Sequence, residues 1–134
     1  MPASSGKSKP DESSNLETVL TETRRSLSRY MRFVFGLMPA SHHMVWLKAL
    51  RDLHPGDRLL IVAPPDHAKS TVIGLVWSSW LLGQDPDHVH IGYVSNTARQ
   101  ANRESVAVRD LVAYSKRFNL LFPKTRLDQN KGTS

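Results

Sequence analysis

Residues 58–80 read RLLIVAPPDHAKSTVIGLVWSSW, and the fold turns on how this stretch is parsed. Leu59-Leu60-Ile61-Val62 is a continuous apolar run, the pattern of a strand buried on both faces of a parallel sheet. Ala63-Pro64-Pro65-Asp66-His67-Ala68 interrupts it, because two prolines cannot extend a central strand. Lys69-Ser70-Thr71 then opens an apolar segment with helical character that ends near Leu82. Strand, tight loop, Lys-Ser and helix follow the layout of a phosphate-binding loop, so the expected fold class is α/β.

The chemistry of such a loop explains its spacing. Backbone N–H groups of the loop and of the first helical turn converge on one spot, where the positive end of the helix dipole favours an anion. Lys69 adds a full charge for the β- and γ-phosphates and is the expected catalytic residue. The Ser70 hydroxyl suits Mg²⁺, a hard cation that prefers oxygen ligands. The expected phosphate-binding set is Pro64, Pro65, Asp66, His67, Ala68, Lys69, Ser70 and Thr71. The consensus G-x-x-x-x-G-K-[ST] becomes A-x-x-x-x-A-K-S here, with Ala63 and Ala68 where glycines usually stand. Alanine costs roughly 1 kcal/mol or more in the left-handed region, so the loop must be less twisted than usual or strained. The octapeptide alone also fits an ordinary strand–loop–helix with a solvated lysine. The strand before it and the helix after it favour the phosphate reading.

Composition narrows the classes further. The chain has 134 residues, room for one modest domain. Lysine and arginine number 18 against 12 acidic residues, and the net charge of +6 favours a polyanionic partner. Without cysteine there is neither a disulfide framework nor a thiolate metal site. No apolar run approaches the roughly 18 residues of a membrane span, and the polar N-terminus lacks the apolar core of a secretory signal. A cytoplasmic protein without membrane contact is expected.

Along the chain, residues 1–13 are rich in Ser, Pro, Lys and Asp and are expected to form a disordered tail. Residues 14–56 are expected to be a helical segment. Ser14-x-x-Glu17 has the form of a capping box, and Leu16, Val19, Leu20, Leu27, Tyr30, Met31 and Val34 recur at helical spacing. Arg24, Arg25, Arg29 and Arg32 lie opposite, either against phosphates or as a solvated face. Ser41 can cap a helix to about Leu53, with Met44, Leu47 and Leu50 inward. His42-His43 has no Cys or acidic ligand at useful spacing, so a metal site is not expected there. His54-Pro55-Gly56-Asp57 is a turn. Residues 57–126 are expected to hold the first βαβα part of a sheet domain, with Val89 to Val94 as its second strand. Trp77 and Trp80 share a helix face and suit core packing. Ser95-Asn96-Thr97, with Gln100 closing a T-x-x-Q capping box, stands at the carboxyl end of that strand. There it either meets a ligand or polynucleotide or serves as a cap alone. Residues 127–134 are expected to be a loose tail.

Taken together, HHMVWLKAL, RLLIVAPPDHAKST, WLLGQDP, HIGYVSNTARQA, RDL and LFP resemble the ATPase domain of the large terminase subunit of tailed bacteriophages, over roughly residues 35 to 123. The resemblance implies a partial P-loop NTPase sheet of the ASCE/RecA-like kind, with N-terminal helices and truncated before Walker B. It implies the ATP-driven motor that packages viral double-stranded DNA into a procapsid, with ATP and Mg²⁺ as cofactors. Implied partners are the small terminase subunit and the portal protein, with a homo-oligomer when assembled, in the cytoplasm of the host cell. Ala63 to Ser70 would be Walker A. Ser95, Asn96, Thr97 and Gln100 would match a segment that helicase-like motors use near DNA. His42 and His43 would lie near the adenine. The departures are an arginine-free loop, no four-apolar-then-Asp-Glu string after Ser70, and no nuclease carboxylates. Hydrolysis by this chain alone is therefore expected to be poor or absent. The alternatives are another P-loop DNA-translocating ATPase of helicase-like kind, a non-catalytic prophage remnant, or a nucleotide- or DNA-binding module.

Overall fold

The computed structural model describes residues 11–127; of the tails expected at 1–13 and 127–134, residues 1–10 and 128–134 lie outside the described residues, while Glu12 and Ser13 are already helical. The described chain is built from α1 (Glu12–Arg25), α2 (Leu27–Phe35), α3 (Ser41–Arg51), a π-helix (Ser70–Trp77), α4 (Ser78–Gln84), α5 (Ala98–Tyr114) and α6 (Lys116–Leu121).

Local chemistry sets the helix ends. Asp11, ahead of the expected Ser14 cap, accepts from Ser13 N–H and starts α1. The apolar stripe expected as one helix is split at Ser26, whose backbone is extended (φ −113, ψ 112) and whose Oγ accepts from Arg29 N–H at 3.3 Å to start α2. Gly36 then ends α2 at φ 65, ψ 17, a left-handed cap that glycine adopts without penalty. Ala40, not Ser41, occupies the cap position of α3. Of the residues expected inward on α3, Leu47 and Leu50 are buried, whereas Met44 is exposed.

The core lies where α1, α2, α3, the π-helix, α5 and α6 meet. Tyr30, Phe118, Val72, Val76 and Ser79 have no exposed surface. The Tyr30 ring meets Phe35, Phe118 and Phe122 at 5.8, 6.5 and 5.9 Å between centroids, edge-on or tilted. Its hydroxyl lies 2.7 Å from Ser79 Oγ, which in turn donates to Leu75 O at 2.6 Å. Burial pushes the Tyr30 phenol well above the usual tyrosine range, so it stays an O–H donor. Trp80 Nε1 and Gln84 Nε2 both donate to Arg24 O, and Arg24 Nε donates to Leu121 O at 2.7 Å. These bonds tie α1 to α4 and α6. They also use Arg24 structurally, while Arg29 pairs with Glu22 and Arg24 with Glu17. Of the arginines expected along this face, these two are engaged inside the chain.

The α/β expectation is corrected: among the described residues there is no strand and no sheet, and the fold is helical throughout. Residues 57–64 and 89–95 form no ladder. The expected partial P-loop NTPase sheet is therefore absent, and so are both of its strands. The physical reason is that an apolar run becomes a buried strand only when neighbouring strands satisfy its N–H and C=O groups on both sides. Neither run finds such neighbours here. Leu60, Val62 and Val94, expected in the interior of a sheet, are 85, 83 and 97 % exposed. Among the described residues no helix is long and apolar enough to cross a membrane.

Candidate phosphate-loop site

Residues 63–68 form an irregular segment with no sheet behind it. Residues 63–71 all line one cavity of about 400 Å³, so the segment curls instead of running straight. Two residues make the curl: Asp66 at φ 65 and Ala68 at φ 56 both enter the left-handed region. Aspartate tolerates this conformation better than most residues, but alanine does not. Ala68 thus adopts the backbone that glycine favours at this place in the consensus. Ala68→Gly is expected to stabilise the chain by about 0.5–1 kcal/mol, read as a rise in the midpoint of chemical unfolding. An unchanged or lower midpoint would show that the turn carries no strain.

Helical bonding begins with Val72 N–H donating to Ala68 O at 2.9 Å, so the amides just ahead are the free donors of a helix start. Lys69, at αR angles (φ −56, ψ −49), precedes the π-helix directly, and its side chain is exposed. Ser70 is exposed and Thr71 half-buried. The eight residues wound as a π-helix are unusual, because i→i+5 winding mostly occurs as single-turn bulges, frequently at functional sites. Apolar periodicity gives no signal for it.

Histidines hold the loop from outside. His43 Nδ1 accepts from Ala40 N–H at 3.1 Å, which leaves Nε2 as the protonated nitrogen, 3.0 Å from His67 O. His67 Nδ1 lies 2.9 Å from Pro65 O and donates to it. The start of α3 is thereby fastened to the middle of the loop. His42 completes the group, with its ring 4.0 Å from His43, 5.2 Å from Trp46 and 5.4 Å from His67 between centroids. Desolvation and the neighbouring His43 and His67 hold the His42 imidazole below its ordinary range. This role for His43 was not legible in the sequence, because it depends on contact between residues 24 apart.

A second cavity, of about 580 Å³, opens on the other side of Ser70 and Thr71. It brings them together with Ser95 and Gln100, two of the four residues expected to meet DNA or couple to it. Ser95 Oγ donates to Gln100 Oε1 at 2.7 Å. Thr97 serves as a cap: its Oγ1 accepts from Gln100 N–H at 3.3 Å and starts α5. Asn96 lines neither cavity. Tyr93 closes one wall and donates its O–H to Gly74 O at 2.8 Å. Burial, and secondarily the Glu104 carboxylate, raise the Tyr93 phenol above its usual range. Arg103 and Glu104 complete the charged lining. Glu104 was missed in the sequence, although it stands one helical turn after Gln100 and so shares its face.

His88 pairs with Asp85 at 2.9 Å, which raises its imidazole above the ordinary range. Among the described residues no three His, Asp or Glu side chains gather to hold a metal ion by themselves. No family model, no curated protein and no solved structure matches this chain.

Proposed function

We propose that the chain binds the triphosphate of ATP in the loop of residues 63–71, as the nucleotide-binding portion of a terminase-type motor that packages double-stranded viral DNA. The observation that carries this reading is the loop itself. Nine consecutive residues surround one cavity and deliver Lys69 and Ser70 at the start of a helix. In this reading Lys69 neutralises charge on the phosphates and Ser70 faces Mg²⁺. The net charge of +6 suits a DNA partner. The small terminase subunit, the portal protein and further copies of the chain are the proposed partners, in the cytoplasm of the host cell.

The helical architecture supports a second reading, a nucleotide-binding module with no motor activity. A RecA-type motor couples hydrolysis to movement through its sheet, and none is present among the described residues.

Titration of the chain with a fluorescent ribose-modified ATP tests the first step common to both. Binding is expected, and Lys69→Ala is expected to weaken it roughly 10- to 100-fold, the worth of one charge-assisted contact of about 1.5–3 kcal/mol. Equal affinity in the two proteins would remove the phosphate-loop reading. Release of phosphate, measured with and without double-stranded DNA, then separates the readings: DNA-stimulated turnover belongs to the motor, and binding without turnover to the module.

A further inference from the structure

A carboxylate shares a cavity with Ser70 and Thr71 although no four-apolar-then-Asp-Glu string follows Ser70 in the sequence. Glu104, on α5, is half-buried and lines the cavity shared by the Ser70 and Thr71 hydroxyls. Among the described residues it has no ion pair and no side-chain hydrogen bond. Its carboxyl group lies directly against Gly74. A Cβ built on Gly74 would stand 2.7 Å from Glu104 Oε2 and 3.2 Å from its carboxyl carbon. Gly74 is therefore the gap in the helix surface that admits the carboxyl group. It lies about one turn beyond Ser70 and Thr71, on the helix that those residues start.

The donors assembled here are hydroxyl, amide and carboxylate oxygens. Such a set suits a hard divalent cation and disfavours a soft one. One carboxylate is too few to hold the ion alone, in keeping with the absence of a three-ligand cluster among the described residues. Mg²⁺ is commonly held by one or two carboxylates together with substrate phosphates and its own waters.

We propose that Glu104 is the carboxylate ligand of a nucleotide-dependent divalent-cation site in the cavity that Ser70 and Thr71 also line, beside the phosphate loop. The proposal rests on the phosphate-loop reading given above. Arg103, which lines the same cavity, places a positive charge at its rim. A cation that arrives without a nucleotide meets that charge, whereas one that arrives with phosphates is neutralised by them. Arg103 thus makes cation binding at Glu104 conditional on nucleotide. The carboxylate also explains the use of glycine at position 74, which a helix otherwise disfavours by about 1 kcal/mol relative to alanine.

The test uses the full chain and a fluorescent ribose-modified ATP, titrated once in EDTA and once in Mn²⁺. Bound Mn²⁺ is counted independently by electron paramagnetic resonance. In the wild type, Mn²⁺ is expected to tighten nucleotide binding at least about tenfold, and the resonance is expected to report Mn²⁺ held only when nucleotide is present. Glu104→Gln is expected to remove most of that enhancement and the bound Mn²⁺ signal. Gly74→Ala is the second variant, since its added methyl displaces the carboxyl group without changing its chemistry, and the same loss is expected. Should the Glu104→Gln protein fail to fold, Gly74→Ala decides. Lys69→Ala is expected to lower affinity in both buffers. A wild-type ratio of Mn²⁺ to EDTA affinity in the folded Glu104 variant, or in Gly74→Ala alone, overturns the cation site and leaves the loop reading standing. Absence of nucleotide binding by the wild type in both buffers overturns the loop reading, and the cation site with it.

Discussion

Phe118→Ala is expected to lose about 3–5 kcal/mol of stability and to lower the melting midpoint by roughly 10–20 °C. Phe118 has no exposed surface, and its ring meets Tyr30 at 6.5 Å and Phe122 at 5.3 Å. Truncation removes the transfer energy of the ring and leaves a void beside two rings that cannot both close on it. A domain of this size holds of the order of 5–15 kcal/mol, so the change takes a large share of the whole. Leu120→Ala is the internal control: the residue stands on the same helix but is 50 % exposed, and about 0.5–1 kcal/mol is expected there. Chemical denaturation of the three proteins reads all of this. A loss below about 1 kcal/mol for Phe118→Ala would place the core elsewhere.

The importance of Phe118 shows what the sequence could and could not carry. Residues 118–123 are plainly apolar, but six residues are too few for periodicity to distinguish helix from strand. Ser115 fixes the outcome by accepting from Phe118 N–H at 3.2 Å and capping a short helix that aims the ring inward. The Thr97 cap, the turn at Pro55-Gly56 and the left-handed end of α2 at Gly36 are legible for the same reason: each depends on residues within a few positions. Asp57 N–H donating to His54 O at 3.0 Å, with Gly56 at φ 93, is such a local device.

The sheet is the opposite case. Leu59 to Val62 and Val89 to Val94 carry the β-branched and apolar composition of strands, yet composition cannot supply a partner. Among the described residues the only regular elements are helices, so both runs stay irregular. The site is divided in the same way. Contiguous residues 63–71 line one cavity. The outer fastening of this segment by His43 and the placing of Glu104 against Gly74 depend on contacts 24 and 30 residues apart, which no local pattern encodes.

Gly83→Ala is expected to destabilise the chain by about 2–3 kcal/mol even though alanine is the better helix former. The sequence predicts that this helix ends near Leu82, with Gly83-Gln84-Asp85-Pro86-Asp87 as the terminating signal. In the structure α4 continues through Gln84, and Gly83 is inside it. A Cβ added there would stand 2.4, 2.5 and 2.6 Å from three carbons of the Phe122 ring, closer than any carbon–carbon contact tolerates. The ring has little room to retreat, because it is buried and packs on Tyr30 at 5.9 Å and Phe118 at 5.3 Å. Overpacking of this kind costs more than the roughly 1 kcal/mol that alanine returns in helix propensity. A double-mutant cycle isolates the cause. Phe122→Leu alone costs stability, but it opens the space that a methyl group at position 83 needs. The two changes together are therefore expected to be less harmful than their sum by at least about 1 kcal/mol. If Gly83→Ala melts at or above the wild-type temperature, or if the two losses simply add, the close approach of α4 to Phe122 is refuted, and with it the packing that joins the end of the loop helix to the aromatic core.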